Sequence, residues 1–477
     1  MEIPSYKHWI GGESVGSKGG ERFVDLNPLD DSPYANIERG TEEDVRDAVA
    51  AADVAFETYR HSLPVERERW LHKAADLIEV RSKDLIEILI DEVGSPILKA
   101  QREIATATGV LRAAAAATRF HSGKTMPTDV RGRLSLSVRR PLGVIAGITP
   151  FNVPLIKNVK HSAMPLATGN TVVLLPSALA PVIACRLSEI YAEAGFPPGV
   201  FNVVTGFGHE IGDALTTDPH VRMVGFTGST QIGRHIAEQC GRLGKRCKLE
   251  MGGKNPLVVL RDANIDSAIQ ASVVGSFIYQ GQICMASSRI YVEQPLMEEF
   301  VDKFSGAASE LGMGDLRIPS TMIGPIIGDR QRIKIREHLS DAIKKGALVQ
   351  CGGQWEHNRC QPTVLTNVTD AMTLAHAETF GPITAVHAVE SPEEALRRAN
   401  ETTFGLCASV FTSDLKQAMR FAEGLEAGMV HVNGTTIQEE PHVPFGGIGD
   451  SGQGRESTDP DLDDMTEWKW ITLHADS

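Results

Sequence analysis

Residues 142–175 read LGVIAGITPFNVPLIKNVKHSAMPLATGNTVVLL, and the reading of this stretch decides the fold. Two runs within it, 142–149 and Thr171–Leu175, are apolar, uncharged and bounded by glycine, proline or asparagine. Runs this short predict strands buried on both faces, as in a parallel sheet covered by helices. Further apolar runs at 201–204, 221–226 and 257–260 repeat the signal. Between them the spacing predicts helices over Pro181–Ala194, closed by Gly195, and over 231–241. Strand and helix alternate as an α/β dinucleotide-binding domain requires. The longest uncharged run, 162–185, is long enough to cross a bilayer, but Pro165, Gly169, Asn170, Pro176 and Pro181 interrupt it. It reads instead as strand, turn and helix start in a buried core.

Toward the N-terminus, Thr41 and Asp44 form a capping box, followed by Val45, Ala48, Val49, Ala52 and Phe56 at helical spacing, which predicts a helix over 41–60. A second helical region starts near Pro64 with Trp70, Leu71, Ala74, Leu77 and Ile78 on one stripe; it continues over 85–93 until Gly94 and Pro96 stop it. Residues 113–117, all alanine, predict a tightly packed helix. Toward the C-terminus, 263–311 reads as mostly helical, and 347–432 alternates again, predicting a second α/β domain. Two segments fit neither domain. Leu134, Leu136 and Val138 alternate with polar residues, and Trp468, Trp470, Thr472 and Leu473 form a late strand-like piece. They read equally as edge strands joining another subunit or as a hairpin within one chain.

The 477 residues suffice for about three compact units. With 47 basic against 61 acidic residues the net charge is −14, which offers no electrostatic reason to bind nucleic acid or an anionic membrane. The first twelve residues, with Glu2, Pro4, Lys7 and His8, lack the apolar segment of a secretory signal. Seven cysteines without a C-x-x-C pair disfavour a disulfide framework and a thiolate zinc site, and the expectation is free thiols in a cytoplasmic protein.

Two glycine loops invite a phosphate reading. Gly447-Ile448-Gly449-Asp450-Ser451-Gly452 matches G-x-G-x-x-G, yet it neither follows a predicted strand nor opens a helix, so a positioning loop is the better reading. Gly225-Phe226-Thr227-Gly228-Ser229-Thr230 has the right context, following an apolar run and leading into a helix. Taken alone it reads equally as a phosphate cradle or as a turn with Ser229 or Thr230 as N-cap.

Three other segments carry chemistry. Gly281-Gln282-Ile283-Cys284-Met285-Ala286 sets one cysteine in an uncharged stretch. Leu249-Glu250-Met251-Gly252-Gly253-Lys254 sets a carboxylate in apolar, glycine-rich surroundings, where desolvation tunes it toward a base near neutral pH. Thr149-Pro150-Phe151-Asn152-Val153-Pro154 fixes its backbone with prolines and offers the Asn152 amide to an oxyanion. Singly, each reads as ordinary core or turn; together they make a nucleophile, a base and an oxyanion donor.

In this order the segments resemble the aldehyde dehydrogenase superfamily over nearly the whole chain, joined by Glu378-Thr379-Phe380-Gly381-Pro382, Pro444-Phe445-Gly446-Gly447 and Ser451-Gly452-Gln453-Gly454-Arg455-Glu456. The resemblance implies an α/β fold of two domains plus a small β oligomerisation segment. Its boundaries would be 1–120 and 141–250 for an NAD(P)-binding domain, 251–445 for a catalytic domain, and 121–140 with 456–477 for oligomerisation as a homodimer or homotetramer. It implies that Cys284 attacks a small-molecule aldehyde, that Asn152 and the Cys284 N–H hold the oxyanion, and that Glu250 activates the water that hydrolyses the thioester. Thr149, Pro150, Phe151, Ser177, Gly228 and Ser229 would bind NAD or NADP, with Glu378 on the nicotinamide-side ribose and Phe380 near the ring.

The chain departs from the family at three places. Leu175-Pro176-Ser177-Ala178 stands where members commonly have Lys-Pro-Ser-Glu, which removes both an attraction for a 2′-phosphate and a repulsion of it and leaves a lean toward NAD. Phe151 replaces a tryptophan. His161 replaces a lysine thought to relay protons with the residue matched by Glu456, and reads either as a relay or as a satisfied core histidine. Residues 433–443 are similar to benzaldehyde- and vanillin-oxidising members, which implies an aromatic or apolar aldehyde. The alternatives are a CoA-acylating semialdehyde dehydrogenase, against which Glu250 argues, and a non-catalytic structural relative, against which the retained Cys284, Glu250 and Asn152 argue.

Overall fold

Two large sheets organise the residues described by the computed structural model, which are 3–120 and 122–475. Positions 1, 2, 121, 476 and 477, which belong to the expected cofactor domain and oligomerisation segment, lie outside the described residues.

The first sheet has the strand order Gly452–Gln453, Arg246–Glu250, Val221–Thr227, Val144–Ile148, Thr171–Leu175, Phe201–Val203, His8–Ile10, Glu13–Val15. Its five middle strands run parallel, and every residue of Thr171–Leu175 is buried. The strand earliest in the chain among these five, Val144–Ile148, lies between Thr171–Leu175 on one side and Val221–Thr227 on the other. Strand order therefore reverses there, and a crevice opens beyond the carboxyl ends of Val144–Ile148 and Val221–Thr227, the place where open α/β sheets take ligands.

The second sheet runs Leu348–Cys351, Thr363–Thr366, Ile383–Val389, Ser287–Glu293, Asn255–Val259, Cys407–Phe411, Met429–Val432 and is parallel except at its first edge. Here the structure corrects the mostly helical reading of 263–311: the helices Ile265–Phe277 and Met297–Ser309 are separated by the central strand Ser287–Glu293. The strand reads SSRIYVE, polar at both ends with only three apolar residues between, too short a run to separate strand from buried helix.

The capping box forms as expected, with Asp44 N donating to Thr41 Oγ1 at 3.3 Å and Thr41 N to Asp44 Oδ2 at 2.8 Å, and it opens the helix Glu42–Tyr59. The alanine run ends a longer helix, Ile97–Ala117, which packs on Pro154–Ala167. The latter starts on a proline and is buried on every face. The two unassigned segments pair with each other: Thr466–His474 runs antiparallel to Arg133–Pro141 over nine residues, and Lys124–Met126 completes a three-stranded sheet. Among the described residues no helix is long and apolar enough to cross a membrane.

Candidate active site

The carboxyl end of Val144–Ile148 runs into Thr149–Asn152 and then into the helix Pro154–Ala167. Thr149 is tied down on both sides, its N–H donating to Leu175 O at 3.1 Å and its hydroxyl to Asn158 Oδ1 at 2.7 Å. The Glu103 carboxylate accepts from Leu155 N at 2.8 Å and so holds the first turn of the helix. This fixes Asn152, buried, at the helix entrance.

Cys284 arrives from the opposite side, in the loop that precedes Ser287–Glu293. Three successive residues of this loop, Tyr279, Gln280 and Gly281, have φ of 49°, 56° and 66°. For Tyr279 and Gln280 this left-handed backbone costs about 1–3 kcal/mol each, so other contacts must hold it. They do: Tyr279 Oη donates to Val93 O at 2.7 Å, and Gln280 Nε2 to Pro325 O at 2.9 Å, both buried.

Two cavities meet at the cysteine. The outer one, about 670 Å³, is walled by apolar side chains including Ile156, Ile278, Ile283, Ile437 and Phe445. The inner one, about 680 Å³, is lined by Glu250, Ser229, Glu378 and Phe380. Asn152, Val153, Lys157 and Cys284 line both and form the partition. The thiol, the amide and the Glu250 carboxyl thus face one space, a set suited to adding sulfur to a carbonyl, holding the oxyanion and deprotonating a water.

Charge in this space is unevenly balanced. Burial, reinforced by the neighbouring Glu456 charge, holds the Glu250 carboxyl well above the usual carboxylate range, and neither of its oxygens has a hydrogen-bond partner among the described residues. Glu456 is buried too, but the surrounding lysines hold it well below that range: Lys157 Nζ lies 2.7 Å and Lys160 Nζ 3.0 Å from its Oε2. Burial also pushes the Cys284 thiol up to about 12, with Lys157 as the main opposing influence. Two acids kept protonated side by side form a site in which removing one proton makes removal of the second harder.

His161 is packed against Gly225, where a Cβ would come within 2.5 Å of its Nδ1, and its Nε2 shares a 2.9 Å hydrogen bond with Thr227 Oγ1. Burial pushes it down to about 3, so it is neutral at physiological pH and fits the core-histidine alternative.

Of the residues expected to bind cofactor, Pro150, Phe151, Gly228, Ser229, Glu378 and Phe380 line the inner cavity. Thr149 and Ser177 do not; Ser177 Oγ accepts from Leu179 N at 3.2 Å. Ser229 is the N-cap residue of Thr230–Leu243, but its side chain makes no capping bond. Gly228 N–H is already used, donating to Glu250 O at 3.0 Å. The Glu378 carboxylate accepts from Gly253 N at 3.1 Å and lies so close to Gly252 that a Cβ there would sit 2.7 Å from it. Phe380, at φ 56°, meets Phe151 edge-on at 6.0 Å between ring centres. A slot with a free hydroxyl, a buried carboxylate and two aromatic rings at a sheet's switch point fits a dinucleotide.

The loop 447–452 is a strap. Ser451 O accepts from Met251 N at 2.9 Å, Ser451 Oγ donates to Gly252 O at 2.6 Å, and Gly452 pairs with Glu250. Beyond the expected residues the structure adds Lys157, Lys160 and Glu439, the last in contact with Lys160. The two lysines stand out in the sequence as the only Lys or Arg residues of 142–175, whereas Glu439 carries no such signal.

The Aldehyde dehydrogenase family description matches residues 15–471. A vanillin dehydrogenase of Pseudomonas fluorescens is 37% identical over 467 residues, 97% of each chain. The crystal structure of a salicylaldehyde dehydrogenase from Pseudomonas putida G7 complexed with salicylaldehyde superposes with a TM-score of 0.95 at 36% identity, covering 99% of this chain and 98% of that one. A betaine aldehyde dehydrogenase from Staphylococcus aureus in complex with NAD+ gives a TM-score of 0.96 at 29% identity, covering 99% and 95%.

Proposed function

The chain belongs to the aldehyde dehydrogenase family, and from that premise we propose that it oxidises an aromatic aldehyde to the carboxylic acid through a thioester on Cys284. The observation that carries this reading is the single space shared by Cys284, Asn152 and Glu250.

Cys284 Sγ adds to the carbonyl carbon, and the Asn152 amide with the Cys284 N–H stabilises the resulting oxyanion. Bound in the inner cavity, the family's nicotinamide dinucleotide supplies the hydride acceptor; Ser229 would hold its phosphates and Glu378 its nicotinamide-side ribose. Cys284 reacts as its thiolate fraction, the proton having passed to solvent, and Glu250 in its ionised fraction takes the proton of the water that releases the acid. Its two unpartnered oxygens support water as the acyl acceptor rather than a thiol. The apolar outer cavity supports an aromatic ring.

NAD is preferred over NADP, because Leu175 offers no cation to a 2′-phosphate, an effect that outweighs the repulsion lost with Ala178. The chain forms a homodimer or homotetramer through the late strand Thr466–His474, whose outer edge is unpaired among the described residues and whose Trp470 is 67% exposed. Light scattering after size exclusion tests the assembly.

The activity test is NAD(P)H absorbance with benzaldehyde, vanillin, hexanal and succinic semialdehyde, each with NAD and with NADP. The expected result is higher kcat/KM for the two aromatic aldehydes, a larger rate with NAD, and no rise for Cys284→Ser. Dominance of succinic semialdehyde contradicts the substrate reading.

A further inference from the structure

Five charged side chains line the outer cavity: Lys99, Arg102, Glu103, Lys157 and Glu439. Four are compensated. Lys99 Nζ lies 2.5 Å from Glu103 Oε2, Lys157 pairs with Glu456 at 2.7 Å, and Glu439 is held by Lys160. Arg102 has no carboxylate or hydrogen-bond partner of this kind among the described residues, so the wall carries one uncompensated positive charge.

Its position follows from the helix Ile97–Ala117. Lys99, Arg102, Glu103 and Thr106 recur at helical spacing and share the face turned to the cavity. Lys99 and Glu103 are buried, whereas Arg102 is exposed and marks the rim, away from half-buried Cys284. A ring whose aldehyde reaches Cys284 shares this cavity with Arg102 at its exposed side. The chain's net charge of −14 repels anions in general, so a guanidinium here makes the rim a local exception. Its planar fork matches a carboxylate through two hydrogen bonds.

We propose that Arg102 is a specificity-determining residue that selects aromatic aldehydes bearing an anionic group on the ring opposite the aldehyde. The proposal rests on the aldehyde-oxidising reading above and sharpens its substrate class. The test compares 4-carboxybenzaldehyde with benzaldehyde, by NAD(P)H formation, in the native chain, Arg102→Gln and Arg102→Lys. The readout is the ratio of the two kcat/KM values, which cancels any general loss of activity. The native ratio exceeds one, falls about tenfold in Arg102→Gln and is partly restored in Arg102→Lys. Added salt lowers the native ratio but leaves that of Arg102→Gln nearly flat. A native ratio below one, or a ratio unmoved by Arg102→Gln, overturns the assignment of Arg102 while leaving aldehyde oxidation intact. Absence of NAD(P)H from both aldehydes in the native chain overturns the underlying reading instead.

Discussion

The two parallel sheets meet the site from opposite ends. The first sheet offers the carboxyl ends of its strands: Asn152 follows Val144–Ile148, Ser229 follows Val221–Thr227 and Glu250 closes Arg246–Glu250. The second offers the amino ends: Cys284 precedes Ser287–Glu293, and Glu378 and Phe380 precede Ile383–Val389. The difference is physical. At a switch point the carboxyl ends diverge and leave a crevice without strain, so the first sheet's contributions need only tight turns. The second sheet presents its groups from loops with left-handed non-glycine residues, Tyr279, Gln280 and Phe380, which are held by long-range contacts. Left-handed non-glycine backbone thus sits beside both the nucleophile and the ring-facing aromatic.

This contrast orders the expected effects of substitution. Cys284→Ser removes the one nucleophile and lowers kcat by at least ~10⁴-fold. Glu250→Gln leaves acyl transfer to sulfur possible but slows release of the acid by about 10²–10⁴-fold, seen as a burst of NAD(P)H followed by a slow phase. Asn152→Ala costs about 10²–10³-fold in kcat, because one oxyanion donor is lost. Tyr279→Phe deletes the bond to Val93 O and lowers stability by about 1–3 kcal/mol, measured by urea unfolding, with a smaller loss of activity as the Cys284 loop relaxes. If Tyr279→Phe is neutral in both, the strained second sheet is not what positions the sulfur.

The pH dependence follows from the two raised acids. Because burial holds the thiol up at about 12, the thiolate fraction grows with pH, and kcat/KM rises from neutral into the alkaline range. The Glu250 carboxyl is likewise raised, so the folded chain keeps a proton that the unfolded chain releases. Stability linked to that proton is complete below the unfolded carboxylate range and is lost as pH rises through the folded value. Glu250→Gln removes this loss, and its melting temperature exceeds that of the native chain by a margin that grows toward alkaline pH.

The first sheet was largely legible in the sequence. Its runs at 142–149, Thr171–Leu175 and 221–226 are short, apolar and punctuated by glycine and proline, and the loops at Asn152 and Ser229 fall at their ends. The second was less so, because a central strand such as Ser287–Glu293, buried between helices, shows no alternation. Strands near the N-terminus, such as His8–Ile10, were not anticipated, since three residues are too few to carry a period. Lys157 and Lys160 were visible as charges in an apolar stretch, but their partner Glu456 lies about 300 residues away and only folding brings it near. The helix Pro154–Ala167 is buried on all faces, so its polar residues Lys157, Lys160 and His161, although at helical spacing, face buried partners and mark no solvent side.

The most direct measurement is intact-protein mass spectrometry of Glu250→Gln after mixing with benzaldehyde and NAD. The account predicts one benzoyl group per chain, located on Cys284 by peptide mapping and absent when Cys284 is also replaced by serine. Turnover with no acyl adduct, or an adduct on any other residue, contradicts it.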